Sequence, residues 1–368
     1  MMDSSPLKLA FCITELYIGG AERALCELAI RLDKTRFSVT VYSLQARPEN
    51  DTMSCVPRLE AAGISVRFLN MHGRKSFPIG FFRLRKFLKE QQPDCVLSFL
   101  FHANLLSRLA AWSLGIKHVF SGIRVAEKKA RWHLTFDRWT SRLVEKYVCV
   151  SHSVATFSET VGRLPKEKIV VIPNGIDVTP FSLPVEKRNW IIFIGRLTQQ
   201  KGVDWLVNTA PHWLLKLPDW KLVIVGDGEE RDGLLIRIKS GNDYEGSESN
   251  QIVLTGWRAD AAKLLTMSKI LVLPSRWEGM PNVVLQAMAA GIPVVATEVE
   301  GISELLGENA ADQTCRFGDD KMLTERILTL ATDSDLAEQL GNKNRNRAKQ
   351  FFSMETVVRS YEELFVTQ

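Results

Sequence analysis

Short apolar, β-branched runs alternate with longer segments of helical period along nearly the whole chain. That is the pattern of a parallel α/β sheet. In the first half the predicted strands are 9–13, 38–44, 64–69, 95–99, 118–122, 147–151 and 169–172. Between the first two, Ala21, Ala24, Leu25, Leu28, Ala29 and Leu32 recur at the spacing of a helix that covers a sheet. The stretch 173–188, PNGIDVTPFSLPVEKR, breaks the pattern with its prolines and reads as an interdomain linker. A second series follows at 190–195, 221–226, 252–256, 270–275 and 293–297. From about Lys321 the tail reads as helices, the last opening at Ser353. The expected fold is α/β: two doubly wound Rossmann-like domains, 1–177 and 178–352, facing across a cleft, with a last helix over 353–368. Residues 241–250 are expected to form a polar surface loop.

Composition narrows the class. At 368 residues the chain exceeds one ordinary core. Its 45% hydrophobic and 24% charged residues suit a globular protein, and no apolar run reaches the ~20 residues that span a bilayer. The start, MMDSSPLKLAFCI, lacks the basic and long apolar regions of a secretory signal. The six cysteines form no C-x-x-C pair, so a reduced, cytoplasmic setting is expected. Charge is uneven: up to residue 177 there are 26 Lys and Arg against 16 Asp and Glu, and 21 against 26 beyond it. The basic first half suits an anionic partner such as a membrane surface, although ordinary surface charge accounts for it equally. Two segments sharpen that question. RVAEKKARWHLTFDRWTSRLVEK (124–146) interleaves Trp132, Phe136 and Trp139 with cations, and FPIGFFRLRKFLKE (77–90) does the same with Phe81 and Phe82. Each reads either as an interfacial helix lying on an anionic membrane or as a sheet-covering helix with a charged outer face. No nucleic-acid motif accompanies the basic charge.

Ligands of open α/β sheets bind beyond the carboxyl ends of the strands, and this chain places glycines there repeatedly. Gly19-Gly20 follows the first strand, where a phosphate or sugar can approach a helix start or a plain tight turn suffices. No G-x-G-x-x-G is present at that point, which disfavours a dinucleotide oxidoreductase. After 190–195, Arg196 and Lys201 stand five apart between Gly195 and Gly202, a pair suited to gripping a diphosphate. Gly226 ends another strand, and Trp257-Arg258 follows a further one, where both side chains can stack on a base. The segment 274–297, PSRWEGMPNVVLQAMAAGIPVVAT, puts Glu278 and Gly279-Met280-Pro281-Asn282 ahead of a helix with no evident solvent face. Gln286 lies in that helix, four residues after Asn282. An amide there needs a partner, in the core or in a ligand. Asn282 is either a helix cap or a ligand contact. His102 lies just past 95–99, and no histidine has metal-ligand spacing.

In this order and spacing, ITELYIGGAERALCELA, CVSHSVATF, VVIPNGID, FIGRLTQQKGV, LVIVGDGEER, VLTGW and LPSRWEGMPNVVLQAMAAGIPVVAT resemble the retaining family-four glycosyltransferases with the GT-B fold. The resemblance covers most of the chain. It implies transfer of a sugar, with retention, from a nucleotide-sugar donor, UDP-linked above all, to a polysaccharide, lipid-linked or other glycan acceptor. It also implies a donor-binding C-terminal domain, an acceptor-binding N-terminal domain and a last helix that crosses back to the latter. Arg196 and Lys201 match the pair that neutralises the donor diphosphate. Glu278 matches the glutamate that contacts the donor sugar, with Gly279 to Asn282 supplying amides behind it. The Gly19-Gly20 loop would close over the donor, with Gly226 and Trp257 also on the donor side. No metal or other cofactor is implied. Asp333-Ser334-Asp335 has the form of the D-x-D motif of other glycosyltransferases, but in ATDSDLAEQL it reads as a helix cap.

Two departures stand out. The family pairs two glutamates with seven residues between them, and the second is Gln286 here. An amide keeps one acceptor for the ribose hydroxyls and loses the charge, which weakens binding by about 1–2 kcal/mol. Where many members have a histidine after the fifth or sixth strand, SGIRVAE offers Arg124, so Arg124 and His102 are both acceptor-side candidates. The leading expectation is an active transferase in polysaccharide or glycolipid synthesis, cytoplasmic and peripheral on the inner face of the membrane. The alternative, resting on Gln286, is a catalytically weak nucleotide-sugar-binding scaffold. A GT-B epimerase or phosphorylase matches the loop motifs less well.

Overall fold

The computed structural model describes residues 5–128, 130–181, 185–241 and 251–367. Outside them lie residues 1–4, 129 of the basic–aromatic segment, 182–184 of the linker, 242–250 of the expected polar loop and 368 of the expected last helix. The chain forms two compact units, 1–174 with 355–368 and 175–354. In the first, the order is β1 (Leu7–Ile13), α1 (Gly20–Arg31), β2 (Phe37–Ser43), α2 (Val56–Ala61), β3 (Ser65–Phe68), α3 (Phe77–Gln91), β4 (Cys95–Phe99), α4 (Phe101–Trp112), β5 (His118–Ile123), α5 (Trp132–Trp139), β6 (Lys146–Cys149), α6 (His152–Thr160) and β7 (Ile169–Val171). Its sheet runs β3-β2-β1-β4-β5-β6-β7, all parallel. Leu9 of β1 is in register with Val39 of β2 on one side and Cys95 of β4 on the other. The order of strands therefore reverses between β1 and β4.

The second unit contains β8 (Trp190–Ile194), α7 (Val203–Leu214), β9 (Lys221–Val225), α8 (Arg231–Gly241), β10 (Ile252–Gly256), α9 (Ala261–Met267), β11 (Ile270–Leu273), α10 (Asn282–Ala290), β12 (Val294–Thr297), α11 (Ile302–Leu306), α12 (Ala310–Gln313), β13 (Thr314–Cys315), α13 (Asp320–Thr332) and α14 (Ser334–Phe351). Its parallel sheet runs β10-β9-β8-β11-β12-β13, reversing between β8 and β11. Every strand expected from the sequence is present, and β13 is added.

Side chains of the first sheet point alternately to its two faces, and in β1 both faces are buried. Ala10 and Cys12 of β1 join Leu84 and Leu88 of α3 and Leu106 and Ala110 of α4 in one core. Phe11 points the other way, to Phe365 of the last helix, α15 (Met354–Val366). Phe365 is buried among the rings of Phe11, Phe37 and Phe120, with centroids 5.8–6.1 Å away. At the same helix, Glu362 accepts hydrogen bonds from the Asp33 amide (3.1 Å) and Arg36 (3.0 Å). The sheet-covering reading thus holds for 77–90. It fails for 124–146, where α5 contains no buried residue.

Three devices in the second unit hold α10. Gly291 ends it in the left-handed region at φ 66°. A Cβ on Gly341 of α14 would stand 2.2 Å from the Gly291 carbonyl oxygen, so the glycine permits that close approach. Arg345 of α14 donates to the last carbonyls of α10, those of Ala289 (3.2 Å) and Ala290 (2.8 Å), a cation at the negative end of the helix dipole. The adjoining Gln313 accepts both from the Val294 amide and from Asn344, each at 2.8 Å, satisfying a buried amide pair.

Candidate active site

The loops after β8 and β11 flank the point where the second sheet reverses, the position at which doubly wound sheets receive ligands. Gly195 and Leu197 tie the first loop down. The Gly195 amide donates to Val225 and the Leu197 amide to Asp227 (3.0 and 2.9 Å), while the Leu197 carbonyl accepts from Glu230 (3.0 Å). Gly226, at φ 147°, lies so close that a Cβ would stand 1.9 Å from the Gly195 oxygen. Gly226 is therefore needed for backbone-to-backbone approach within the protein. From this anchored turn the Arg196 side chain is exposed, and among the described residues it has no ion-pair partner.

Lys201 closes the same loop, followed by Gly202 in the left-handed region with its would-be Cβ 2.0 Å from the Pro274 oxygen. That contact brings the β8 and β11 loops together. Lys201 Nζ lies 2.5 Å from Glu278 Oε1, and the Ser275 hydroxyl donates to the same oxygen at 2.6 Å. Thr297 at the end of β12 in turn donates to the Ser275 carbonyl (2.5 Å). Glu278 is buried, and its amide is 3.4 Å from Glu300 Oε2. The cation and the acid expected to serve separate parts of a ligand are thus one ion pair. Ser275, Thr297 and Glu300 were not foreseen as parts of this group. The polar Ser275 and Thr297 at strand ends were the available signal.

Gly279, Met280 and Pro281 are buried beneath the turn at Gly301, whose φ is 80° and whose would-be Cβ would stand 2.2 Å from the Gly279 oxygen. Pro281 is the N-cap of α10, and Asn282 is the first residue of the helix. The cap reading of Asn282 is not met. The expectation that α10 lacks a solvent face is also corrected. Asn282, Val283 and Gln286 are half-buried and share one stripe, while Val284, Leu285 and Ala287 to Ala290 are buried. The half-buried Gln286 side chain has no hydrogen-bond partner among the described residues, so it is no satisfied core amide.

Trp257 is half-buried, and Arg258 is engaged by Asp260 through two 2.8 Å hydrogen bonds, which hold its guanidinium above its usual pKa. Asp333 caps α14 by accepting from the Leu336 amide, as expected for the D-x-D stretch. Among the described residues no group of three His, Cys, Asp or Glu side chains is placed to hold a metal.

In the first unit, Gly19 precedes α1 and lies under the Glu22 carboxylate, whose Oε2 is 2.2 Å from its would-be Cβ. Gly20 is the first residue of that helix. Arg124 follows β5, bonded to Asn174 Oδ1 and set 4.4 Å from the centroid of Phe99. Burial lowers its pKa, opposed by the neighbouring Tyr361 phenol and the Glu22 carboxylate. His102 lies in the first turn of α4, beside Phe101 and 5.8 Å from His133. The His133 ring stacks on Phe101 at 3.7 Å, and burial lowers its pKa.

A paired lysine and glutamate at a sheet's switch point, with an exposed arginine on the same loop as the lysine, are chemically suited to a phosphorylated, hydroxyl-bearing ligand. The comparisons agree with that class. Residues 188–333 match the model of "Glycosyl transferases group 1" and residues 18–179 that of "Glycosyltransferase Family 4". An uncharacterized glycosyltransferase of Haemophilus influenzae is 30% identical over 72% of this chain and 74% of its own length. The UDP-Gal:alpha-D-GlcNAc-diphosphoundecaprenol alpha-1,3-galactosyltransferase of Escherichia coli is 24% identical over 98% of this chain and 97% of its own. In fold, the Anabaena protein HepE in complex with UDP-glucose superposes with a TM-score of 0.83 at 18% identity, over 98% of this chain and 100% of that one. The chain belongs to the family-four, group 1 glycosyltransferases and is an enzyme of that kind. No described helix is long and apolar enough to cross a membrane.

Proposed function

We propose that this enzyme transfers a sugar, with retention of configuration and without a metal, from a UDP-sugar to a lipid-linked or other glycan acceptor. The reading rests on the Arg196, Lys201, Glu278 and Ser275 group at the β8/β11 switch point. In the reaction the bond from the sugar's anomeric carbon to the diphosphate oxygen breaks, and a bond to the acceptor hydroxyl oxygen forms on the same face. The acceptor proton passes to the departing phosphate. Arg196 and Lys201 answer the charge that grows on the diphosphate, where preorganised cations count most. Glu278, held by Lys201 and Ser275, orients the sugar hydroxyls. Gln286 and Asn282, sharing the half-open stripe of α10, face the ribose, with Trp257 beside the base. His102 and Arg124 serve the acceptor side, and the Gly19-Gly20 loop serves the donor.

The HepE complexes with UDP and UDP-glucose support a uridine donor. The name of the Escherichia coli relative supports a diphospholipid-linked acceptor. On this proposal the enzyme works in the cytoplasm at the inner face of the membrane. Arg196→Ala should lower turnover of the accepted UDP-sugar about 100-fold with an unchanged melting temperature, because the side chain is exposed. Turnover of the native enzyme should survive EDTA. Equal turnover in the variant would remove Arg196 from the site, and loss on chelation would remove metal independence. Gln286→Glu should tighten UDP binding by about fivefold to thirtyfold. A rise from near-zero activity in that variant would instead favour the scaffold reading.

A further inference from the structure

Helix α5 is held to its unit by polar bonds. Arg108, fully buried, donates through Nη1 to Asp137 (2.6 Å) and Thr140 (2.9 Å) and through Nε to Ser121 (2.9 Å). Tyr147 donates to the Asp137 carbonyl at 3.0 Å. Those bonds fix the helix from its inner side, and its three large aromatics are left outside. Trp132, Phe136 and Trp139 fall at i, i+4 and i+7, one side of a helix. Their rings meet edge to face in series, with centroids 5.8 and 5.6 Å apart. Trp139 is 71% exposed. Arg131, Arg138 and Arg142 are exposed among them, while Asp137, the only acid of the helix, is drawn inward by Arg108.

The neighbouring helices extend this surface. α4 packs against both α3 and α5, and Arg85 of α3 donates to Ser113 just past the end of α4 (3.2 Å). Beside that bond Trp112 is 66% exposed. On α3, Phe82 is 67% exposed with Ile79 one turn before it and Lys86 and Lys89 after it.

We infer that the outer face of α5, with Phe82 and Trp112, seats the enzyme on an anionic phospholipid bilayer. Tryptophan and phenylalanine suit headgroup depth, and arginines beside them meet lipid phosphates. A protein interface is depleted of lysine, whereas here exposed Lys86 and Lys89 join Arg131, Arg138 and Arg142 around the aromatics, the charge that an anionic headgroup layer meets. The inference rests on the proposed lipid-linked acceptor for its purpose, and on exposure and charge for its substance.

The test is sedimentation of the full chain with phosphatidylglycerol-containing and pure phosphatidylcholine vesicles, with UDP-sugar hydrolysis in solution followed in parallel. The native chain should bind the anionic vesicles at low salt, release them at high salt and leave the neutral ones unbound. Trp139→Ser and Arg138→Glu should each weaken binding about fivefold or more, with unchanged circular dichroism and unchanged hydrolysis in solution. Absence of binding at low salt, equal binding to neutral vesicles, or native binding by both variants would overturn the inference. So would a dimer that Trp139→Ser dissociates without any vesicle binding, since the face would then cover a second copy. Vesicle binding without hydrolysis would sink the proposed function and leave this surface standing.

Discussion

Lys201→Met should cost the enzyme both its turnover and part of its stability. Lys201 Nζ is 2.5 Å from a Glu278 carboxylate whose side chain is 7% exposed. Removing the lysine leaves that carboxylate buried with the Ser275 hydroxyl and the distant Glu300 contact to its amide. An uncompensated buried charge costs about 3 kcal/mol. Turnover of the UDP-sugar should fall about 1,000-fold, the upper range for loss of one preorganised group at a developing charge. The second variant separates the two effects. In Lys201→Met with Glu278→Gln no stranded charge remains, so most of the melting temperature should return while turnover stays low. A single variant that melts like the native protein would show that the pair contributes nothing to folding. Recovery of turnover in the double variant would remove both residues from the chemistry.

Phe365→Ala should be the most damaging change outside that site. The ring fills the space between Phe11, Phe37 and Phe120, so its loss combines transfer of a large apolar group with a cavity, about 4 kcal/mol together. The damage should be confined to one unit. Amide exchange should accelerate in β1 and β5, which carry Phe11 and Phe120, and stay native in β11 and β12. Uniform acceleration across both sheets would show that the units unfold together. Unchanged exchange in β1 would show that α15 is dispensable there.

The strands were legible because each is a short apolar run closed by glycine or a polar residue. Thr314–Cys315 escaped because two residues make no pattern. In α10 hydrophobicity misled: Val283 is apolar yet lies on the half-open stripe with Asn282 and Gln286. Charge patterning left 124–146 undecided, since an inward Asp137 and outward tryptophans cannot be distinguished by spacing alone. Arg196, Lys201 and Glu278 were each visible as candidates. Their arrangement was not, because Lys201 and Glu278 are 77 residues apart in the chain and meet where Gly202 approaches Pro274 and Gln200 bonds Arg276 and Trp277. Tyr361 gave no sign in the sequence of its place beside Arg124, because the last helix joins the first sheet through tertiary packing alone.

That last helix also sets an order of events during synthesis. The first unit has its seven strands once Val171 has emerged, yet the ring that fills the gap beside Phe11, Phe37 and Phe120 is three residues from the end of the chain. All of 175–354 must be made in between. At ~5–20 residues per second that interval lasts roughly 10–40 s. During it the nascent first sheet lacks the ring that closes its aromatic face in the finished protein.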